Sequence, residues 1–251
     1  MRSAAGRTCA RALLASAGVN VRSDTDARPS YEQRGTDPGR LAAWLAFVGF
    51  LIVLAYAQRA ENGAPDNDVF YRYSTAISGI VVYAIMLLVT LAIAGFDRDR
   101  LALRRPRSWA LALGLGVLMI VVVYIAIAVL EPLLHGGEEQ GLTPDEWQPD
   151  RAGAYVVNGA VTVVFVPFVE ELLFRGVGFS LLAPVGIWIA IAGTGIAFGL
   201  AHGLVGGFVQ IALLGCALAW LRSRVGSVVP GMLIHGTFNL IGLVASVTIG
   251  G

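Results

Sequence analysis

Residues 170–175 read Glu170-Glu171-Leu172-Leu173-Phe174-Arg175, inside one of the most apolar stretches of the chain. Residues 161–168 precede them without a charge, and residues 176–207 follow with His202 as their one ionisable group. An ionised side chain at membrane depth costs roughly 2.5–3.5 kcal/mol even on the lenient insertion scales. Such a cluster persists when its members pair, face a wet cavity, or carry out chemistry. Glu171 and Arg175 are four apart with the acid first, the favourable order for an ion pair along a helix. Glu170 lies about 100° round an α-helix from Glu171 and has no partner at helical spacing within the motif. The local reading is one paired, structural acid and one acid left for chemistry.

The surroundings make the motif a membrane motif. The chain has 251 residues, 56% hydrophobic and 14% charged, with mean hydropathy +0.71. That composition belongs to membrane proteins. Residues 41–57, 74–95, 109–130, 154–182, 187–201, 204–221 and 228–249 are each apolar enough to read as helices. The predicted fold is an all-α polytopic transmembrane bundle of about seven spans. It divides into a disordered cytoplasmic tail (1–40), N-terminal transmembrane helices (41–150) and a C-terminal catalytic transmembrane domain (151–251). The segment at residues 10–17 is too short and too weakly apolar for a signal-peptide core.

All 18 basic residues are arginine, which with the Ala, Gly and Val content reads as a GC-rich, bacterial coding bias. Net charge is +1, which provides no electrostatic footprint for nucleic acid. The implied surroundings are the lipid bilayer and a substrate within it; nothing in the composition sets an oligomeric state. Cys9 and Cys216 form no CxxC metal pair and lie in segments of different character, so no disulfide is expected. Arginines crowd the tail, the 96–108 loop and the turn at Arg222 and Arg224; the 58–73 and 131–153 loops are richer in acid. The positive-inside rule places a multi-pass protein in the cell membrane, N-terminus cytoplasmic and C-terminus extracytoplasmic.

Within the last four helices the strong polar side chains at depth are Glu170, Glu171, Arg175, His202, His235 and Asn239, with Gln210 read as interhelical glue. Phe198 precedes His202 by four and shares its helix face; His235 and Asn239 are also four apart. Each group is costly against lipid, so they are expected to converge in the bundle interior. Glu170 with His202 can bind and deprotonate a water, and His235 with Asn239 can donate to a developing oxyanion. Gly195, Gly199 and Gly203 repeat every four residues and predict one smooth helix side. Pro167 predicts a kink just before Glu170, and Pro230 is tolerated near the start of the last helix. The plainer readings remain open for each motif alone. Glu171–Arg175 can be a structural ion pair, His202 a satisfied core histidine, His235 and Asn239 interhelical hydrogen bonds, and His135 a solvated surface residue.

Together, Glu-Glu-x-x-x-Arg at 170–175, Phe-x-x-x-His at 198–202 and His-x-x-x-Asn at 235–239 resemble the three motifs of the CPBP intramembrane protease family, also called Abi or CAAX-protease-like. That family includes type II CAAX prenyl endopeptidases and lysostaphin-resistance-like and bacteriocin-immunity proteins. The resemblance covers about residues 153–247. It implies that Glu170 and His202 activate the water, that His235 and Asn239 form the oxyanion hole, and that Glu171 and Arg175 support the site. The implied reaction is endopeptidase cleavage of a membrane-associated protein or peptide. The family's metalloprotease label implies zinc, whereas the glutamate mechanism needs no cofactor. Three other readings compete: a non-catalytic immunity or scaffold protein, a transporter with a buried charge relay, and a zinc hydrolase using Glu170, His202 and His235 as ligands. Peptide cleavage separates the enzyme from the first two, and chelator sensitivity separates the third.

Overall fold

The computed structural model describes residues 35–62, 67–134, 144 and 146–249. The readings of the tail at 1–34, of Cys9 and of His135 fall outside those residues. The described residues are mostly helical and contain no strand. We number the helices α1 (Pro38–Asn62), α2 (Tyr73–Ala94), α3 (Arg98–Leu101), α4 (Trp109–Leu134), α5 (152–182), α6 (Ile187–Ala201), α7 (Phe208–Val225) and α8 (Val229–Ile249).

Six of these rods are long and apolar enough to cross a bilayer. The exceptions are α3, a four-residue turn, and α6, with 15 residues. At 1.5 Å per residue α6 spans about 22 Å, short of a hydrocarbon core of about 30 Å. The expected count of about seven spans therefore becomes six long helices and one short apolar helix. The chain is an all-α, multi-pass membrane protein. Apolar side chains such as Ile77, Ile85 and Leu88 of α2 and Val117, Val121 and Ile125 of α4 point outward. In water that would be a fault; in lipid it is the matching solvent.

The ends of the bundle are tied in two groups. At one end, α2 stops at Gly95, whose left-handed φ of +67° lets the next N–H groups fold back on Ala92 and Leu91. Asp97 caps α3, and the 96–108 loop then packs under the bundle. Arg104 Nε donates to Gly226 O at 2.7 Å, Arg107 N to Val225 O at 3.1 Å, and Ser180 Oγ to Arg100 O at 2.9 Å. At the other end, Arg151 Nη1 meets Asp68 Oδ2 at 2.9 Å, and the Tyr71 hydroxyl donates to Glu146 O at 2.7 Å. The arginine-rich loop and the Arg222–Arg224 turn thus share one end, and the loops at 67–72 and 146–151 share the other.

Lipid offers little hydrophobic drive for helices to associate, so close packing must hold them. The α6–α7 pair shows how. A Cβ on Gly195 would lie 2.6 Å from Cys216 N, one on Gly199 3.0 Å from Ala212 N, and one on Gly215 2.8 Å from Gly195 O. Gly203 does not extend this face, contrary to the four-residue repeat. It lies past the end of α6, takes φ +66°, and packs on Ala55 of α1. The turn it forms delays α7, which starts at Phe208 rather than at 204.

Helix α5 is not one α-helix. It contains π-helical turns at Val161–Phe165 and Glu171–Gly178, separated by the α-helical Val166–Glu170. Pro167 explains the first interruption. The Val166 N–H donates to Val161 O, so the next donor in that register, to Thr162 O, would be Pro167, which has no N–H. The predicted kink is therefore a change of helical register.

Candidate active site

The acidic motif straddles the start of the second π turn, and both of its carboxylates are buried. Arg175 is fully enclosed, and both glutamates meet α8 at His235. His235 Nε2 lies 3.7 Å from Glu170 Oε2, and His235 Nδ1 lies 3.4 Å from Glu171 Oε1. Glu171 Oε1 also accepts from Arg175 Nη1 at 3.0 Å. The predicted i, i+4 pair is therefore present and fully buried. The idea that Glu171 serves Arg175 alone is not upheld, because both glutamates face the same imidazole. Each carboxylate keeps one oxygen without a hydrogen-bond partner, Glu170 Oε2 and Glu171 Oε2. A Cβ on Gly231 would stand 2.6 Å from Glu171 Oε2, so α8 approaches this carboxylate closely because the position is glycine.

Phe198 is the hub of the site. Arg175 stacks over its ring at 4.3 Å, a favourable cation–π distance. His235 meets the same ring edge-on with centroids 5.5 Å apart, and His202 does so at 4.6 Å. Arg175 Nη2 donates to Gly215 O at 2.9 Å, which fastens the motif to α7. The close α6–α7 packing thus positions both the ring and the carbonyl that receive the guanidinium.

His202 sits differently from its sequence expectation. It terminates α6 as an exposed residue, not a buried one, and its Nδ1 is 2.7 Å from Phe198 O. Among the described residues no hydrogen bond or ion pair joins it to Glu170. The turn that follows it is tied to α1, where the Tyr56 hydroxyl donates to Leu204 O at 2.9 Å.

Asn239 is tied to the backbone. Its Nδ2 donates to Thr162 O at 3.0 Å, the carbonyl that Pro167 leaves without a donor. One turn earlier, a Cβ on Gly236 would lie 2.4 Å from Val163 O, so α8 lies flush against the interrupted stretch. An amide nitrogen carries two N–H donors, and one remains for other work. Gln210 donates to Glu131 Oε2 at 2.6 Å, linking α7 to α4 as interhelical glue.

One contact lay outside any sequence motif. The Tyr83 hydroxyl of α2 donates to Glu170 Oε1 at 2.8 Å. Its only sequence signal is a phenol in the middle of an uncharged apolar helix.

Zinc is the cofactor that the metalloprotease label would bring. Glu170 and His235 are adjacent, but among the described residues no hydrogen bond or ion pair joins His202 to either of them. Among the described residues no three His, Cys, Asp or Glu side chains form a metal-holding group. The donor set does not fit a three-ligand zinc site.

Two carboxylates border one imidazole, and one of them is paired directly with a guanidinium, in a setting almost closed to solvent. That arrangement suits acid–base work. No curated protein and no solved structure matches the chain. The segment 152–241, which carries Glu170, Glu171, Arg175, Phe198, His202, His235 and Asn239, matches the family model described as type II CAAX prenyl endopeptidase Rce1-like, and this part of the chain is similar to that family of membrane proteases.

Proposed function

We propose that the chain is a glutamate-type intramembrane endopeptidase acting on a membrane-associated protein or peptide. The observation that carries this reading is the convergence of Glu170 and Glu171 on His235, with one unpartnered oxygen on each carboxylate. Glu170 Oε2 takes a proton from a water held between it and His202, and the water oxygen attacks the scissile carbonyl carbon. The resulting oxyanion accepts hydrogen bonds from His235 and from the second Asn239 N–H. The proton on Glu170 passes to the leaving nitrogen as the C–N bond breaks. Glu171 and Arg175 hold His235 and Phe198 in place. No cofactor enters the cycle.

Prenylated CAAX proteins are a eukaryotic speciality, so for a bacterial owner we infer a different peptide in the bilayer. Arginine placement supports a cytoplasmic N-terminus and an extracytoplasmic C-terminus.

The test is cleavage of a membrane-peptide library by purified protein, read by mass spectrometry. Wild type should yield defined cleavage sites, and Glu170→Gln should lose about 10²–10⁴-fold in turnover while remaining folded. Chelator treatment should leave the rate unchanged; a rate abolished by chelator and restored by zinc would replace the glutamate mechanism. A folded wild type that cleaves nothing would return the chain to the scaffold reading. Proton uptake into protein-containing vesicles without any cleavage would return it to a charge relay.

A further inference from the structure

The residues given roles above lie between 170 and 239, yet one side chain that touches Glu170 comes from the first half of the chain. Helix α2 has no charged residue from Tyr73 to Ala94. Tyr83 lies near its middle, half-buried, with its ring packed against the core cluster that contains Phe174 and Val169. Its hydroxyl donates to Glu170 Oε1 at 2.8 Å, whereas Oε2 has no hydrogen-bond partner and lies 3.7 Å from His235 Nε2.

We propose that Tyr83 is a positioning residue that selects which oxygen of Glu170 acts as the base. The inference rests on the peptidase reading above. The terminal torsion of a glutamate is broad and roughly two-fold, so a carboxylate without anchors exchanges its oxygens freely. A phenol held at its ring by packing and at its hydroxyl by one oxygen removes that exchange. It commits Oε1 to Tyr83 and leaves Oε2 facing His235. Oε2 is thus the atom that meets water. The segment 152–241 carries the reacting groups, and α2 supplies the orientation of one of them.

The test compares Tyr83→Phe, Tyr83→Leu and wild type in the full chain, with Tyr155→Phe as control. The Tyr155 hydroxyl donates to Leu243 O and touches no member of the site. Without that charge-assisted hydrogen bond the carboxylate is free to turn, so Tyr83→Phe should lower kcat about tenfold or more. KM should stay within about twofold, and Tyr155→Phe should match wild type. A merely structural tyrosine would show the opposite pattern: Tyr83→Phe as active as wild type and only Tyr83→Leu impaired. That result overturns the proposal.

A second arm needs no substrate. Tyr83→Phe should lower the melting temperature in the wild-type background, where it strands a buried carboxylate oxygen. It should have no such effect in a Glu170→Leu background. If wild type cleaves no peptide, the peptidase reading fails, and this melting cycle alone decides whether Tyr83 holds Glu170. Equal shifts in both backgrounds overturn the contact itself.

Discussion

Replacing Glu171 with Gln would remove one negative charge next to a guanidinium that has no access to solvent. Arg175 Nη1 lies 3.0 Å from Glu171 Oε1, with both side chains at 1% exposure or less. Stripping a partner from a buried ion pair costs about 3–5 kcal/mol in soluble proteins. Three features reduce that here. The glutamine carbonyl still accepts from Nη1, Nη2 keeps Gly215 O at 2.9 Å, and the Phe198 ring lies 4.3 Å from the guanidinium. The lower end, about 3 kcal/mol, is therefore the expected loss. For a chain of this length each kcal/mol shifts the melting temperature by about 2–4 °C, which predicts a drop of about 6–12 °C. The double variant Glu171→Gln with Arg175→Met carries no unpaired charge and should recover at least half of it. The assay is a melting curve in detergent on the two variants and wild type, with turnover measured well below the lowest transition. Turnover in Glu171→Gln should fall even there, because Glu171 Oε1 also lies 3.4 Å from His235 Nδ1. Melting of the single variant within about 2 °C of wild type would refute the reasoning, as would a double variant less stable than the single one.

Three other outcomes are expected. Asn239→Leu leaves Thr162 O without its donor and should destabilise by about 1–3 kcal/mol. Adding Pro167→Ala restores an N–H to that stretch of α5 and should recover part of the loss in a thermal melt. Hydrogen bonds from Arg151 and then Gln148 hold the Asp68 carboxyl below its ordinary 3.8. The stabilisation it contributes is therefore present above that value and lost as the pH falls through its lower, folded-state pKa. The melting difference between wild type and Asp68→Asn should exist at neutral pH and vanish in strong acid; a difference that persists there would remove Asp68 as its source. A reporter active only outside the cytoplasm, fused at Gly251, should give signal, and a silent but stable fusion would reverse the orientation drawn from the arginines.

Local arithmetic made much of this protein legible. Residues four apart on a helix are neighbours, so Glu171–Arg175 and Phe198–His202 followed from spacing alone, and both contacts are present. Apolar run length fixed the membrane class and most helix positions. The loop arginines at 104 and 107 do meet the turn after α7, as the grouping of arginines on one side required. Spacing could not foresee the π register. The 100° step between Glu170 and Glu171 assumes 3.6 residues per turn, and the i→i+5 bonding of Glu171–Gly178 turns less per residue. Nor could spacing foresee that both carboxylates border one imidazole on α8.

The sequence by itself determined the class, an all-α membrane bundle, and the inventory of its polar site. Each of those depends on neighbours within about one helical turn, or on transfer of a whole segment from water to lipid. Only the tertiary structure decided who meets whom. Tyr83 reaches Glu170 across 87 positions of chain, and Asn239 reaches Thr162 across 77. His202 is an exposed helix end rather than an interior group because Gly203 turns the chain against α1. Such contacts depend on glycine-level approach between helices and on a carbonyl freed by Pro167. Both are three-dimensional consequences of residues whose one-dimensional signal is small size or a missing N–H.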